Sequence, residues 1–163
     1  MRDDVPSMLA ISNANAATSH ANFAIEPETL EDWLSDWDLH HDRFPAHVGD
    51  RAGQIVGFAR ATPWKGRCAY EFAASTGIYV DPACHGEGLG SRMYDALLQG
   101  LRQAGFHTAI AGIALPNAAS VALHERYGFE YVGTFRESGR KFGRWWDVAY
   151  YQCMLASQPS AQS

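Results

Sequence analysis

Helical periodicity is the clearest signal along the chain, with apolar residues recurring every three or four positions in several segments. Leu30, Trp33, Leu34 and Trp37 follow this spacing, and Pro27 supplies a helix start shortly before them. The predicted helices span about residues 5–15, 27–41, 88–104 and 117–127.

Between and after the helices lie six stretches whose aromatic and β-branched residues, bounded by turn signals, predict β-strands. They span about residues 46–50, 54–62, 69–80, 107–114, 131–135 and 146–155, and a glycine-rich connection joins the last two. The order is two helices, strands, a helix, a strand, a helix and further strands. This order predicts an α/β fold (α+β mixed sheet), with helices on the faces of a central mixed sheet.

The chain length of 163 residues suits one domain, because domains usually contain roughly 100–200 residues. We expect a single domain over residues 1–156, followed by a small polar C-terminal tail at 157–163. The apolar fraction of 47% is ordinary for a domain that buries its core without disulfide or metal support.

Charge and composition exclude several partners. The net charge of −5 argues against a nucleic-acid partner, since phosphate backbones are bound by basic surfaces. Three widely spaced cysteines without a Cys-x-x-Cys pair suggest reduced thiols. No stretch approaches the ~20 apolar residues of a membrane span, and the first residues lack an export signal. We therefore expect a cytoplasmic protein with no membrane partner.

A glycine-rich loop, His-Gly-Glu-Gly-Leu-Gly at residues 85–90, joins the predicted strand ending at Val80 to the next helix. Glycines at a helix start let the backbone approach a ligand and leave amide N–H groups free at the positive end of the helix dipole. This favours a pyrophosphate site, while a tight turn without a ligand is the alternative. The loop is neither a P-loop, because no Gly-Lys-Ser/Thr follows, nor a dinucleotide fingerprint, because its spacing differs.

Several motifs occur together in one order and spacing. They lie at residues 22–27, 63–70 (Pro-Trp-Lys-x-Arg-x-Ala-Tyr), 79–90 (Tyr-Val-Asp-Pro, then His-x-x-Gly-x-Gly), 115–129 and 141–148. Through them the chain resembles the GNAT superfamily of N-acetyltransferases and, over about residues 22–152, its phosphinothricin/methionine sulfoximine acetyltransferase branch. The resemblance implies a GNAT fold, acetyl-CoA as co-substrate without a metal, a small amino-acid-like amine as acceptor, and a homodimer.

The resemblance also implies which residues bind acetyl-CoA. Main-chain groups of Ile78 and Val80, on either side of Tyr79, would pair with the pantetheine arm like an added strand. The pyrophosphate would be taken by the loop residues Gly86, Glu87, Gly88, Leu89, Gly90 and Ser91. Asn117 matches an asparagine that contacts the cofactor, and it also suits an N-cap. His85 stands where Gln or Arg is usual, and it can still donate a hydrogen bond.

The general base is where the chain departs from the branch, which has a glutamate four residues before the Tyr-Val pair; here that position is Ser75. A serine is no useful base at neutral pH. Glu71 lies earlier on the predicted strand, on the same side as Ser75 and about 13 Å away at ~3.3 Å per residue. Either Glu71 acts through ordered water with Ser75 as a relay, or an amine of pKa ~7.7–8.0 loses its proton to water without a base. A solvated carboxylate without a catalytic role is the third interpretation of Glu71.

His124 occupies a helix position where many family members carry a tyrosine that protonates the departing thiolate, and this branch carries histidine. A histidine with a pKa of about 6.5 can give or take a proton at cellular pH. A buried structural histidine is the alternative interpretation. Tyr127, one helical turn on, is interpreted as a packing residue.

The acceptor's carboxylate needs a cation. Arg67 can bind a carboxylate through two hydrogen bonds, and Lys65 is the second candidate. Phe23, Trp64 and Tyr70 would line a pocket for an amino-acid side chain, although aromatic residues more often belong to a core.

Three functions are consistent with the sequence. The first is acetyl transfer to the amino group of a small amino acid or analogue such as phosphinothricin, methionine sulfoximine or methionine sulfone, by direct attack in a ternary complex. The second is a GNAT enzyme for a polyamine, an aminoglycoside or a protein N-terminus. The third, motivated by Ser75, is an acyl-CoA-binding sensor without turnover.

The beginning of the chain also departs from the family. Family members open with a strand before the first helix, whereas only Arg2-Asp3-Asp4 precedes the helix here. Either the true start lies further upstream or the sheet lacks its first edge strand.

Overall fold

The computed structural model describes residues 1–155. Its helices are α1 (Val5–Thr18), α2 (Leu30–His40), α3 (Leu89–Gln103) and α4 (Ala118–Arg126). Its strands are β1 (Ala46–Arg51), β2 (Gln54–Pro63), β3 (Ala73–Val80), β4 (Thr108–Ala114), β5 (Glu130–Lys141) and β6 (Arg144–Met154). Single 3-10 turns lie at Arg2–Asp4, Cys68–Tyr70 and Pro82–Cys84.

The six strands form one sheet in the order β1-β2-β3-β4-β6-β5. Neighbouring strands are antiparallel except for β3 and β4, which are parallel. These two strands pair only from Ala73 to Ser75 on β3 and from Thr108 to Ile110 on β4. Beyond these pairs they separate, so the carboxyl-terminal half of β3 has a free edge toward β4.

Each face of the sheet carries its own apolar core. Leu97 and Leu101 of α3 are fully buried in the larger cluster against one face. Met8 of α1 and Trp33 of α2 pack around the buried Phe58 of β2 on the other face. The predicted mixed α/β architecture, with helices on both faces of a central sheet, is therefore confirmed.

Three predicted boundaries were wrong. The helix predicted from residue 27 begins at Leu30, because the side chain of Thr29 caps it by accepting from the Asp32 amide at 3.2 Å. The strand predicted over residues 69–80 begins at Ala73, after the 3-10 turn. The predicted glycine-rich connection over residues 136–145 is a hairpin, in which β5 continues to Lys141.

The amino-terminal residues form no strand. Arg2–Asp4 is a 3-10 turn that leads into α1, and β1 is the edge of the sheet on this side. The predicted polar tail at 157–163 lies outside the described residues. Within residues 1–155, no helix is long and apolar enough to cross a membrane, and no group of three or more potential ligands is arranged to hold a metal ion.

Candidate active site

An open cavity of about 900 Å³ lies where β3 and β4 separate. Its walls come from the second half of β3, the end of β4, the glycine loop, the first turns of α3 and α4, and polar residues of α1. The sequence-predicted residues that line it are Trp64, Ser75, Ile78, Tyr79, Val80, His85, Gly86, Gly88, Leu89, Gly90, Ser91, Asn117 and His124. The predicted cofactor loop and the predicted proton-transfer histidine therefore share one cavity.

The glycine loop has the geometry of an anion site. Gly86 and Gly88 have φ angles of +83° and +71°, a conformation that favours glycine. A Cβ at Gly86 would meet no heavy atom within 4 Å, so space is open above the backbone. Gly88 is the N-cap of α3 and provides no side-chain cap, which leaves amide N–H groups free at the positive end of the dipole. These features fit a pyrophosphate group.

Glu87 is the one loop residue predicted to bind the cofactor that does not line the cavity. Its carboxylate lies 3.4 Å from Nη1 of Arg51 in an exposed ion pair. Its main-chain carbonyl accepts from Nη1 of Arg92 at 3.2 Å. The side chain of Glu87 thus braces the outside of the loop.

His85 connects the loop to the end of β3. Its Nε2 lies 3.1 Å from the carbonyl oxygen of Val80. Because a carbonyl oxygen only accepts, Nε2 carries the proton and donates it. The ring thereby fixes the loop to the strand whose main chain is the predicted pantetheine site.

Asn117 and His124 lie at opposite ends of α4. The side-chain oxygen of Asn117 accepts from the Ser120 amide at 3.1 Å, so the predicted N-cap is confirmed. One turn later, Nδ1 of His124 lies 2.7 Å from the carbonyl oxygen of Ser120. This contact requires a proton on Nδ1 and leaves Nε2 of the neutral ring as an acceptor.

In the described part of the chain, Nε2 of His124 and Oδ1 of Asn15 are buried polar atoms without a hydrogen-bond partner on residues that line the cavity. His124 is 3% exposed, and among the described residues Nε2 has no hydrogen-bond partner. Burial lowers the pKa of His124 below its ordinary value, although the Ser120 hydrogen bond opposes part of this shift. The ring is therefore held neutral, with a lone pair available beside the cavity.

An aromatic cluster fixes the position of His124. Its ring packs edge-on against Tyr94 and Phe129, with centroid distances of 5.0 and 5.1 Å. The hydroxyl of Tyr94 lies 2.9 Å from Oγ1 of Thr76, and burial raises the pKa of Tyr94. Tyr127 belongs to the same cluster and donates to the carbonyl of Ser91 at 2.6 Å, so it ties α4 to α3.

The opposite part of the cavity is formed on the α1 and α2 face of the sheet. Side chains alternate along a strand, so Ser75 shares the face of Tyr79, which packs on Phe58 with a centroid distance of 5.3 Å. In the antiparallel pairing of β2 with β3, Thr62 lies opposite Ser75 and Arg60 lies opposite Gly77. This surface and the glycine loop are different parts of the wall of the same cavity.

The predicted placement of Glu71 was wrong. Because β3 begins at Ala73, Glu71 lies at the end of the preceding 3-10 turn and not on the strand with Ser75. Its side chain is exposed and does not line the cavity, and its main-chain carbonyl accepts from Nη2 of Arg43 at 2.8 Å. We therefore assign no catalytic role to Glu71.

The predicted substrate residues are only partly brought together. Trp64 lines the main cavity and packs edge-on against Tyr150 at 5.6 Å. Lys65, Arg67 and Tyr70 are exposed and lie outside it. The break of the strand at residues 64–72 explains this, since the segment forms a turn and not a continuation of β3.

Phe23 lines a smaller cavity of about 370 Å³ that shares part of its wall with the main one. The shared residues are Ala21, Gly112, Ala114 and Tyr150. Its other walls include Phe135, Val148 and Ser138, so polar and apolar side chains both line it. It adjoins the acceptor side of the main cavity.

Sequence reasoning missed several polar side chains that line the main cavity, among them Ser12, Asn15, Glu28 and Arg60. The polar residues of α1 interrupt an otherwise apolar helix, which was a usable signal. Arg60 alternates with Phe58 along β2, and this two-residue period places both on one face. Glu28 precedes the first turn of α2, and sequence alone did not distinguish it from a solvated loop carboxylate.

Comparison with known proteins agrees with this fold and cavity. Residues 9–129 match the Acetyltransferase (GNAT) family, and the chain belongs to this family. It is therefore an acetyltransferase by family and by fold.

Curated relatives and solved structures narrow the comparison. The chain is 39% identical to a phosphinothricin N-acetyltransferase of Streptomyces viridochromogenes, with 91% of this chain and 81% of that protein covered. It is 33% identical to an L-methionine sulfoximine/L-methionine sulfone acetyltransferase of Pseudomonas aeruginosa, with 97% and 93% covered. The structure of a GNAT phosphinothricin acetyltransferase from Sinorhizobium meliloti in complex with AcCoA superposes with a TM-score of 0.88 at 29% identity, with 94% and 84% covered.

Proposed function

We propose that this protein transfers the acetyl group of acetyl-CoA to the amino group of a small amino acid or amino-acid analogue. The observation that supports the proposal most directly is the unsatisfied Nε2 of His124, in the wall of the cavity that the glycine loop also lines. The names of the relatives, which act on phosphinothricin and on methionine sulfoximine or sulfone, support an amino-acid-like acceptor. The function therefore needs two ligands in one cavity, an anionic cofactor and a small amine.

The chain's residues fit acetyl-CoA. The amides that follow Gly86 and Gly88 would hold the pyrophosphate, and the free edge of β3 at Ile78–Val80 would pair with the pantetheine arm. Acetyl-CoA supplies a thioester carbonyl that an amine can attack. Gly90 packs against the side chains of this strand, because a Cβ there would lie 3.6 Å from Cδ1 of Ile78 and 3.7 Å from Cγ2 of Val80.

His124 would move a proton between the acceptor nitrogen and the departing sulfur. In the resting state Nε2 has no proton, so it would first accept one from the nitrogen and then donate it to the sulfur. The hydrogen bond to Ser120 fixes the ring, and the aromatic neighbours exclude water from it. A neutral ring with a lowered pKa suits this order of proton transfers, because the protonated ring releases its proton readily.

A thiol-release assay with acetyl-CoA and a panel of amines tests the proposal. We expect turnover with amino acids or analogues that have a free α-amino group, and little with polyamines, because Arg60 lines the cavity. Preferred turnover of an aminoglycoside or a peptide N-terminus would contradict the substrate class. Tight binding of acetyl-CoA with no acetylation of any amine would favour the sensor hypothesis.

We also propose a homodimer formed through the β5–β6 hairpin. Exposed apolar side chains cluster on this edge of the sheet, namely Tyr131, Val132, Phe135, Phe142 and Trp145. Exposed apolar patches of this kind favour association. Light scattering coupled to size exclusion should give the mass of a dimer, and Phe135→Asp should shift it to that of a monomer.

We also propose a cytoplasmic location, on the basis of the cysteine residues. Cys68, Cys84 and Cys153 form no disulfide among the described residues, and an odd number of thiols suits a reducing compartment. Titration of three thiols in freshly lysed cells, in the presence of a blocking reagent, would support this location.

A further inference from the structure

Among the described residues that line the main cavity, Glu28 is the only one with a carboxylate side chain. The family glutamate on β3 is replaced by Ser75, and Glu71 lies outside the cavity. We propose that Glu28 binds the ammonium group of the acceptor and acts as the general base, in place of a carboxylate on β3. This inference rests on the proposed acetyltransferase function and names the residue that prepares the amine.

The backbone of Glu28 is fixed to α1 by two hydrogen bonds from one side chain. The amide of Glu28 donates to Oδ1 of Asn13 at 2.9 Å, and Nδ2 of Asn13 donates to the carbonyl of Glu28 at 3.0 Å. An asparagine that pairs with both main-chain groups of one residue fixes its position and orientation. The loop before α2 therefore presents Glu28 at a defined point of the cavity wall.

The carboxylate of Glu28 is oriented by a buried chain of donors. Nδ2 of Asn22 donates to Oγ of Ser12 at 3.0 Å, and Oγ of Ser12 donates to Oε2 of Glu28 at 3.3 Å. Ser12 and Asn22 are only 2% and 8% exposed. Since Nδ2 of Asn22 can only donate, the direction of the chain is fixed and ends on the carboxylate. One oxygen of Glu28 is thereby held, and the other is left for a ligand.

Glu28 lies on the same side of the sheet as Ser75. Glu28 is hydrogen-bonded to Ser12 and Asn13 of α1, the helix that packs on the face of Tyr79, and it lines the same cavity as Ser75 and Tyr79. Tyr79 shares a strand face with Ser75. The carboxylate of Glu28 therefore enters the cavity from the loop before α2, on the same face of the sheet on which a glutamate at position 75 would lie.

The charged groups around Glu28 come from three elements. Arg60 of β2 lines the same cavity and is paired with Asp36 of α2, and Tyr79 of β3 is uncharged at neutral pH. Helix α1 has no titratable side chain. The loop that contains Glu28 adds Glu26, and the first turn of α2 adds Glu31 and Asp32; none of these three lines the cavity. Glu28 and Arg60 thus provide one negative and one positive group for a zwitterionic acceptor.

The proton balance uses two residues. The ammonium group gives one proton to Glu28 as its nitrogen forms the bond to the thioester carbonyl carbon. The nitrogen gives its second proton to Nε2 of His124, which passes it to the sulfur as the carbon–sulfur bond breaks. Glu28 then releases its proton to solvent. The products are the acetylated amine, CoA with a free thiol and one proton, which balances the reaction of an ammonium ion with acetyl-CoA.

The test compares Glu28→Gln with Glu26→Gln, a neighbouring exposed carboxylate outside the cavity, in the full-length protein. With a base present, kcat/KM expressed for total amine should be flat below the pKa of the amine. Without one, only the free amine reacts, so for an α-amino group of pKa ~7.7–8.0 Glu28→Gln should lower kcat/KM about tenfold at pH 7, and kcat/KM should then fall with a slope that approaches tenfold per pH unit below pH 7. Glu26→Gln should behave as wild type.

A second pair of variants separates catalysis from folding. Ser75→Glu introduced into Glu28→Gln should restore a flat profile, because it returns a carboxylate to the strand. Ser12→Ala should change the pH profile in the same direction as Glu28→Gln but by less, with the affinity for acetyl-CoA measured by calorimetry unchanged in every variant. If wild type is active and the profile of Glu28→Gln equals that of Glu26→Gln, Glu28 is not the base. If wild type acetylates no amine, the proposed function itself fails.

Discussion

Nδ1 of His124 donates to the carbonyl oxygen of Ser120, one turn earlier on α4, over 2.7 Å. This bond decides which ring nitrogen has the proton and turns the other, Nε2, into an acceptor at the cavity wall. A helix residue normally offers its carbonyl to the amide four positions later. The histidine ring can use the same carbonyl because a carbonyl oxygen has two lone pairs and can accept a second hydrogen bond.

His124→Gln should lower kcat with little change in the affinity for acetyl-CoA. Loss of a proton-transfer group costs about 10²- to 10⁴-fold in rate, and we expect the lower end because solvent can replace part of the transfer. Stopped-flow or steady-state thiol release measures kcat, and calorimetry measures binding. Tyr127→Phe is the control, because it removes a hydroxyl that contacts a main-chain carbonyl. A variant that loses stability but keeps kcat would show that His124 is only structural.

His124 should also make the folded state sensitive to acid. Its pKa is lowered by burial, so between the unfolded value of about 6.5 and the lower folded value the unfolded chain binds more protons. The free energy of unfolding must therefore fall as pH drops through this range, and His124→Gln should reduce that slope. Urea unfolding at pH 7.5, 6.5 and 5.5 measures it. His47, whose pKa burial also lowers, should retain part of the slope in the variant.

The sequence predicted the helices in which apolar residues recur at regular spacing, and it predicted the cofactor site that consists of one short motif. The helix before Gly105 and the glycine loop were found because one follows a clear apolar repeat and the other is a run of adjacent residues. The cavity pairing of the loop with His124 followed from the family resemblance alone. These features depend on residues that are close together in the sequence, so they can be predicted without knowledge of the fold.

The acceptor side was not predictable in the same way. Glu28 reaches the cavity through contacts with Asn13 and Ser12, which are fifteen and sixteen positions away in sequence. Arg67 was predicted as the substrate cation because of its motif, whereas the turn at residues 68–70 leaves it exposed. Such placements depend on how α1 and the turn pack against the sheet, and no local pattern reports that packing.

Gly88→Ala should weaken acetyl-CoA binding. At φ +71° an alanine is strained by about 1 kcal/mol or more, and relaxation of this strain would rotate the amides at the start of α3. We expect an affinity for CoA reduced by about tenfold, together with a lower melting temperature. Gly66→Ala is the control, since that glycine is exposed and not left-handed, and a Cβ there meets no atom within 4 Å. Equal affinities for the two variants would argue against the loop as the anion site.

Lys141→Met should destabilise the protein. Nζ of Lys141, which is 6% exposed, donates to the carbonyls of Ala16 and Asn22 at 2.5 Å each, so it joins β5 to the end of α1 and to the following loop. Hydrogen bonds to charged groups contribute about 1.5–3 kcal/mol each, and we expect a loss of about 3 kcal/mol in the free energy of unfolding. Arg136→Met, at an exposed position of the same strand, should change it by less than about 0.5 kcal/mol. Urea denaturation measures both.

The two arginines considered for the acceptor's carboxylate can be separated by a matched pair of variants. Arg60 lies in the cavity wall, where its guanidinium group packs 4.9 Å from the Trp33 ring and pairs with Asp36, whereas Arg67 is exposed and outside the cavity. Arg60→Gln should therefore raise KM for an amino acid by about tenfold or more, the equivalent of one charged hydrogen bond. Arg67→Gln should leave KM near that of wild type.

The corresponding primary amine without a carboxylate is the internal control for this pair. Its KM should change little in Arg60→Gln, because the interaction that the variant removes is absent from that substrate. If Arg60→Gln raises KM equally for the acid and for the amine, its effect comes from the lost contacts with Asp36 and Trp33 and not from the carboxylate. If Arg67→Gln is the variant that discriminates between them, the exposed turn at residues 68–70 must close over the cavity when the acceptor binds.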